Sequence, residues 1–268
     1  MLVTVVVPTR NSARTLEACL SSIRAQSHDR IELVVVDNAS SDTTDAIARR
    51  FADVVLTAGP ERSAQRNAGA RRGRGTHLLF VDSDMVLERD VVAQCVELAS
   101  AGVAAVVIPE RSFGSGFWAR CKALERSCYV GDESIEAARF FSRSAFDAVG
   151  GYDEALTGPE DWDLHERVRR TGAVIGRTRA YIDHDEGDLR LRRLLAKKFQ
   201  YGTTIHSYRV KHPDLARTQL RLARPAFFRH GRSLARQPVT ALGMVVMKTA
   251  ELGAGAAGLA AARVLDRV

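Results

Sequence analysis

The chain has 268 residues, enough for one large domain and an appendage, and its 46% hydrophobic and 26% charged content is ordinary for a soluble globular protein. A net charge of +7 points to an anionic partner: nucleotide phosphate, nucleic acid or an acidic membrane surface. Cys19, Cys95, Cys121 and Cys128 form no CxxC pair, so neither a zinc site nor a disulfide framework is indicated, and a reducing compartment is the simplest reading.

The chain opens on a strand-like run, Leu2–Val7, with neither the basic stretch nor the cleavage site of a signal peptide. The β-branched run Val3–Val7 ends at Pro8, and Leu16, Cys19, Leu20 and Ile23 then recur at helical spacing. A second apolar run, Ile31–Val36, ends at Asp37. Thr43–Phe51 reads as a helix, Val54–Leu56 as a short strand, Ser63–Arg72 as a helix and His77–Val81 as a strand ending at Asp82. Short continuous apolar runs separated by helices predict a mainly parallel sheet covered on both faces, an α/β fold. Further along, Ala101–Pro109 and Ala138–Ser142 read as strands, with Phe113–Tyr129 mostly helical between them. Gly150-Gly151-Tyr152 is a turn, Trp162–Thr171 a helix stopped by Gly172, and Ala173–Ile182 is extended up to His184.

Parallel sheets bind ligands beyond the carboxyl ends of their strands. Those ends are Pro8-Thr9-Arg10-Asn11, Asp37-Asn38-Ala39-Ser40 and Asp82-Ser83-Asp84. Two carboxylates one residue apart at a strand end suit a hard divalent ion, Mg²⁺ or Mn²⁺, which also bridges to substrate phosphates. A solvated turn is the plain alternative for such a pair, and the apolar run Leu78-Leu79-Phe80-Val81 before it favours the metal. In Glu160-Asp161-Trp162-Asp163, a carboxylate can serve as general base for an acceptor hydroxyl, or the cluster can be an acidic helix start stabilised by the helix dipole. His184, in Asp183-His184-Asp185-Glu186, is a candidate further metal ligand. Asp37 is placed to accept from a base N–H or a ribose hydroxyl. The cap of the following helix falls more naturally to Ser41 or Asp42. Arg62, Arg66 and Asn67 lie at or on the helix before the Asp82 strand, as contacts to base or phosphate or as surface charges.

Taken together, five stretches resemble the family 2 glycosyltransferases of the GT-A fold: Val5–Asn11, Val34–Asp42, Ala64–Gly69, Phe80–Asp84 and Gly150–Glu154, followed by Glu160-Asp161. They occur in the family's order and cover residues 1–187. The resemblance implies a nucleotide-sugar donor, UDP- or GDP-linked, with Thr9 and Asp37 at base and ribose and Arg62 or Arg66 at base or diphosphate. Pro8, Arg10, Asn11, Ser40, Asn67 and Ser83 complete the expected donor region. Asp82 is implied near ribose and metal, Asp84 on the metal, His184 completing the metal site, and Asp161 as catalytic base with Glu160 beside it. Transfer with inversion is likewise what the resemblance implies. The Gln-x-x-Arg-Trp motif of processive synthases is missing, since neither Trp118 nor Trp162 stands in such a context, so a single addition is expected.

Composition shifts near Leu189, which sets the expected boundary between a catalytic domain, 1–187, and a basic helical extension, 188–268. Leu189–Arg236 holds thirteen Lys or Arg residues and one acidic residue, Asp214. Leu191, Leu194, Leu195 and Phe199 fall near helical spacing beside Lys197 and Lys198, as in basic helices that lie on anionic membranes. Val239–Ala262 is apolar and small-residue-rich, with only Lys248 and Glu251 charged, and those two can pair at i, i+3. Residues 189–262 are therefore the expected membrane contact, at the cytoplasmic face, with a glycan or lipid-linked acceptor, and Val239–Ala262 reads as an interfacial or bundle-packed helix more than as a span; packing on the catalytic domain or oligomerisation is the other reading. A nucleotidyltransferase would carry an early glycine-rich phosphate loop, which Pro8-Thr9-Arg10-Asn11 is not. A nucleic-acid partner is disfavoured by 6% aromatic content and by carboxylate-rich strand ends. An inactive glycosyltransferase-like scaffold is disfavoured by intact Asp82, Asp84 and Asp161.

Overall fold

The structure, a computed structural model, describes residues 1–219 and 225–265. In chain order the first elements are β1 (Val3–Thr9), α1 (Leu16–Arg24), β2 (Ile31–Asp37), α2 (Thr44–Phe51), β3 (Val54–Thr57), α3 (Arg62–Arg72) and β4 (His77–Phe80). Next come β5 (Met85–Leu87), α4 (Val91–Ser100), β6 (Ala105–Val107), β7 (Glu110–Ser115), α5 (Gly116–Ser127), β8 (Ala138–Ser142) and α6 (Arg143–Ala148). Then follow α7 (Glu160–Arg170), β9 (Ile175–Arg177), β10 (Ile182–Asp188), α8 (Leu191–Lys211), α9 (Pro213–Gln219), α10 (Pro225–Arg229), α11 (Gly231–Ala235) and α12 (Pro238–Leu265). They gather into two compact units: residues 1–109, 137–154 and 160–185, and residues 110–136 and 155–159 with the described part of 186–268.

The first unit is built on a seven-stranded sheet of order β3-β2-β1-β4-β8-β6-β9. Pairings among β1 to β4 are all parallel, with Val3 opposite Ile31 and His77, and Thr9 opposite Asp37; β8 runs antiparallel to β4 and β6. Every residue of β1 is buried, because alternate side chains feed cores on both faces. Val5 and Val7 pack with Leu16, Leu20 and Ile23 of α1 and with Val91 and Val92 of α4. Val6 points the other way, into Val34, Phe80, Phe141, Phe146 and Leu164. These are the doubly covered parallel strands expected from the apolar runs. Three places differ from the sequence pattern, one of them the Ala173–Ile182 stretch, which is split into β9 and β10. Ala101–Ala104 is a turn through Gly102 (φ 90°), so the strand starts only at Ala105. Phe113 lies in β7 rather than in a helix, where Gly114 comes so close to Gly187 that an added Cβ would stand 2.7 Å from its carbonyl oxygen.

The second unit is mainly helical. Its core holds Cys121 and Leu124 of α5, Leu194 of α8, and Met244 and Met247 of α12, with Leu191 packed against them. The stripe expected on a membrane, Leu191 to Phe199, is thus turned inward at Leu191 and Leu194, because α12 supplies the apolar partner. Lys248 and Glu251 do pair, at 3.1 Å, and are buried with Glu125 beside the partly buried Lys122: Lys248 reaches Glu125 at 2.6 Å and Lys122 reaches Glu251 at 3.2 Å. Among the described residues no helix is long and apolar enough to cross a membrane. Helices α8 and α12 meet at glycines: a Cβ on Gly202 would stand 2.1 Å from the Gly255 carbonyl oxygen. Gly202→Ala is therefore expected to force the helices apart and cost about 1–3 kcal/mol. A thermal midpoint equal to that of the wild-type chain would show that the contact is not tight.

Candidate active site

In the strand order β3-β2-β1-β4 the winding reverses between β1 and β4, which places a ligand crevice beyond their carboxyl ends. The loop after β1 and the loop after β2 are tied together there. Thr9 Oγ1 donates to Asp37 Oδ1 (2.9 Å), Ser40 donates to Asp37 through N (2.8 Å) and Oγ (2.5 Å), and Asn11 N donates to Ser40 Oγ (2.8 Å). Asn11 Oδ1 in turn accepts from Ser41 N (2.8 Å), with Asn11 itself at φ 49°. Asp37 is buried and its two oxygens are used to shape these loops, while Asp42 accepts from Thr44 N at the start of α2. Ser83 Oγ donates to Ser12 Oγ (2.9 Å), joining the loop after β4 to the same rim.

Arg66 is the centre of the site. Gly69, one turn further along α3, lets the helix lie on the sheet; a Cβ there would stand 2.4 Å from Val6 Cγ1. That close approach delivers the Arg66 side chain, fully buried, beneath three carboxylates. Its Nη2 donates to Asp82 Oδ1 (2.6 Å), and its Nη1 to Asp161 Oδ1 (3.0 Å) and Glu160 Oε1 (3.5 Å). Its guanidinium also lies 5.0 Å from the centre of the Tyr152 ring. Burial alone would raise the Asp82 carboxyl, but Arg66, Arg139 and Arg62 hold it well below the usual carboxylate range. Burial disfavours the Arg66 cation, and Asp161 and Asp82 more than offset this.

Tyr152 and Arg139 are the members that the sequence reading did not single out. Tyr152 Oη donates to Asp161 Oδ1 (3.1 Å), and burial followed by the Asp161 charge pushes its hydroxyl well above the usual range, so it stays a donor. Arg139 Nη1 lies 3.6 Å from Asp82 Oδ2. A cation inside the apolar strand Ala138–Ser142 was the available signal for it. Gly151, at φ 71°, makes the turn that presents Tyr152, and a Cβ there would strike Asn67 Oδ1 at 2.8 Å. Asn67 is committed to this turn: it donates to Tyr152 O and Glu154 Oε1 and accepts from Tyr152 N, each at 2.9 Å. Arg62 is half-exposed and pairs with Glu160 at 3.1 Å.

Asp84 and His184 form a second pair. Antiparallel pairing sets His184 opposite Met85, and Asp185 N donates to Asp84 O (2.8 Å). This register brings His184 Nε2 to 3.2 Å from Asp84 Oδ2. Neighbouring ligands held at about 2.1 Å on an octahedral ion stand about 3 Å apart, so one carboxylate oxygen and one imidazole nitrogen at this separation fit a shared divalent cation. Asp82, by contrast, is turned to Arg66 and Arg139. Among the described residues no group of three or more His, Cys, Asp or Glu side chains is placed to hold a metal.

The mixed α/β sheet with this switch point and this carboxylate-lined crevice is of the GT-A type. The glycosyl transferase family 2 model matches residues 4–152, more than half of the chain, and the chain belongs to that family. It is 28% identical over 233 residues to the pre-mycofactocin glycosyltransferase of Mycobacterium tuberculosis, a match covering 79% of this chain and 48% of that protein. It is also 28% identical over 187 residues to the PGL/p-HBAD biosynthesis glycosyltransferase of Mycobacterium bovis, covering 65% and 72%. The chain thus spans about half the length of the first of these relatives. Among solved structures, the mannosyltransferase PcManGT of Pyrobaculum calidifontis, in complex with GDP-Man and Mn²⁺, matches with a TM-score of 0.61 at 22% identity, over 98% of this chain and 75% of that one. Staphylococcus aureus TarS 1-349 in complex with UDP-GlcNAc matches with 0.56 at 17%, over 98% and 92%.

Proposed function

We propose that this chain is a metal-dependent, inverting, single-addition glycosyltransferase that moves a sugar from a UDP- or GDP-sugar to an acceptor hydroxyl or phosphate. The observation that carries the reading is Arg66, which ties Asp82, at the end of the donor-side strand, to Asp161, at the start of α7. Asp84 and His184 would hold Mn²⁺ or Mg²⁺ through a carboxylate oxygen and an imidazole nitrogen. When bound, the ion neutralises charge on the departing nucleoside diphosphate. The loops bearing Pro8–Asn11 and Asp37–Ser40 form the nucleoside side of the crevice, and Asp37 keeps their shape. Arg62, at the rim, supplies positive charge for the diphosphate.

Two carboxylates compete for the role of base. The Asp161 side chain is 24% exposed, whereas that of Glu160 is 2% exposed and lies under Arg62 and Arg66. Asp161 therefore takes the acceptor proton, from the face of the sugar opposite the leaving group, and one displacement inverts the anomeric carbon. Membership of the family sets the nucleotidyltransferase alternative aside. For the whole protein, the charge of the C-terminal region favours a lipid-linked acceptor and attachment at the cytoplasmic face of a membrane, and four free cysteines accord with a reducing compartment.

Isothermal titration of UDP and GDP, each with and without Mn²⁺, tests the donor site. Binding of one nucleotide is expected only with the metal, weakened about a hundredfold in Asp84→Ala, equivalent to about 2.8 kcal/mol. Equal binding with and without metal in both proteins would remove the metal role. Absence of any nucleotide binding would favour an inactive scaffold.

A further inference from the structure

A surface helix ordinarily turns its charges to water and its aliphatic side chains inward. Helix α12 departs from this: besides Met244 and Met247 it turns its charges inward, and a second aliphatic face outward. Its two charged residues up to Ala262, Lys248 and Glu251, are 8% and 4% exposed and face the second unit's interior, in the ion network with Lys122 and Glu125. Its outward positions are Val239, Leu242, Val245 and Val246, and they continue through Thr249 and Gly253 to Ala256, Ala257 and Ala260. Spacings of three, six and seven residues put the first four within one helical face. Leu242 is 67% exposed and Val239 71%. Even the hydroxyl of Thr249 is withdrawn from the face, donating to Val245 O at 2.9 Å. The uncharged outward face thus runs from Val239 to Ala260, about 30 Å at the helical rise.

We propose that this face of α12 is a membrane-docking surface that lies in the plane of an anionic phospholipid bilayer. The proposal rests on the membrane attachment put forward above and assigns it to residues other than the α8 stripe. The charge around the face decides the occupant. From Leu215 to Ala250 the sequence holds no Asp or Glu, and Arg232 and Arg236, both exposed, lead directly into α12, beside the 79%-exposed Phe228. Cations flanking an aliphatic face match lipid headgroups above acyl chains. A second copy of the same face would offer these cations no carboxylate between Leu215 and Ala250. A protein partner is usually met with Tyr, Trp and Arg anchors in the centre of the patch, and this centre is valine, leucine, alanine and glycine.

Co-sedimentation of the full chain with vesicles tests the assignment, using phosphatidylcholine alone and phosphatidylcholine with one-third phosphatidylglycerol. The wild-type chain is expected to bind the anionic vesicles. Leu242→Asp/Val246→Asp is expected to weaken binding by about tenfold or more. Arg232→Glu/Arg236→Glu is expected to remove the preference for phosphatidylglycerol. All these positions are exposed, so thermal midpoints should match the wild type and report a misfolded variant if they do not. Failure of the wild-type chain to bind either vesicle would overturn the membrane attachment as well as this surface. Unchanged binding by Leu242→Asp/Val246→Asp, with the wild type bound, would overturn the surface alone. A wild-type oligomer in light scattering that this variant dissociates would assign the face to a second copy instead.

Discussion

Asp161→Asn is expected to lower the turnover of sugar transfer by about 10²–10⁴-fold while leaving Mn²⁺-dependent nucleotide affinity within a few-fold of wild type. The split follows from the hydrogen bonds. Arg66 Nη1 and Tyr152 Oη both donate to Asp161 Oδ1, and an asparagine carbonyl in the same place accepts both. What the amide loses is the charge and the second oxygen, and with them the ability to take a proton. Glu160→Gln is the contrasting variant. Glu160 is buried under Arg62 and Arg66, so its replacement is expected to act on stability and on donor affinity more than on turnover. Steady-state kinetics of both variants, with product stereochemistry by NMR for the wild type, checks the assignment. Asp161→Asn with wild-type turnover, or a product of retained configuration, would require another mechanism.

The first half of the fold was legible because β1, β2 and β4 are unbroken apolar runs separated by helices of clear periodicity. Asp82, Asp84 and Asp161 stand out in the sequence because each follows a recognisable boundary. What they do toward one another does not. Asp82 and Asp84 flank a single residue, Ser83, yet the structure sends one to Arg66 and Arg139 and the other to His184, and only strand register separates them. Tyr152 reads as part of a glycine turn, and its target lies nine residues away, at the start of α7. Strand β10, Ile182–Asp188, is mostly acidic and has no apolar alternation; it is a strand because β5 pairs with it, not because of its own side chains. The same limit applies to α8. Helical spacing marks Leu191 and Leu194 as one face but does not say whether lipid or α12 covers it.

Arg66→Met should be the most destabilising single change in the site, with an expected loss of about 3–5 kcal/mol. The substitution keeps most of the volume and removes the charge that Asp82, Asp161 and Glu160 share. A buried pair broken on one side leaves its remaining charges uncompensated, which costs more than the pair itself contributes. The pH dependence identifies the cause. In the wild-type chain the folded-state pKa of Asp82 is held well below its unfolded value of about 3.9, so its contribution is complete above that value and declines as pH falls through the folded pKa. Without Arg66 the burial of Asp82 acts with less opposition, and its folded pKa moves upward. Protonation then relieves the variant as pH falls, and the gap between variant and wild-type melting midpoints should narrow from pH 7 toward pH 4. Arg66→Lys should fall between the two, because a single ammonium cannot fork to Asp82 and Asp161 at once. A gap that stays constant with pH would attribute the loss to packing against Tyr152 rather than to charge. An Arg66→Met variant as stable as wild type would show that the three carboxylates do not depend on this cation.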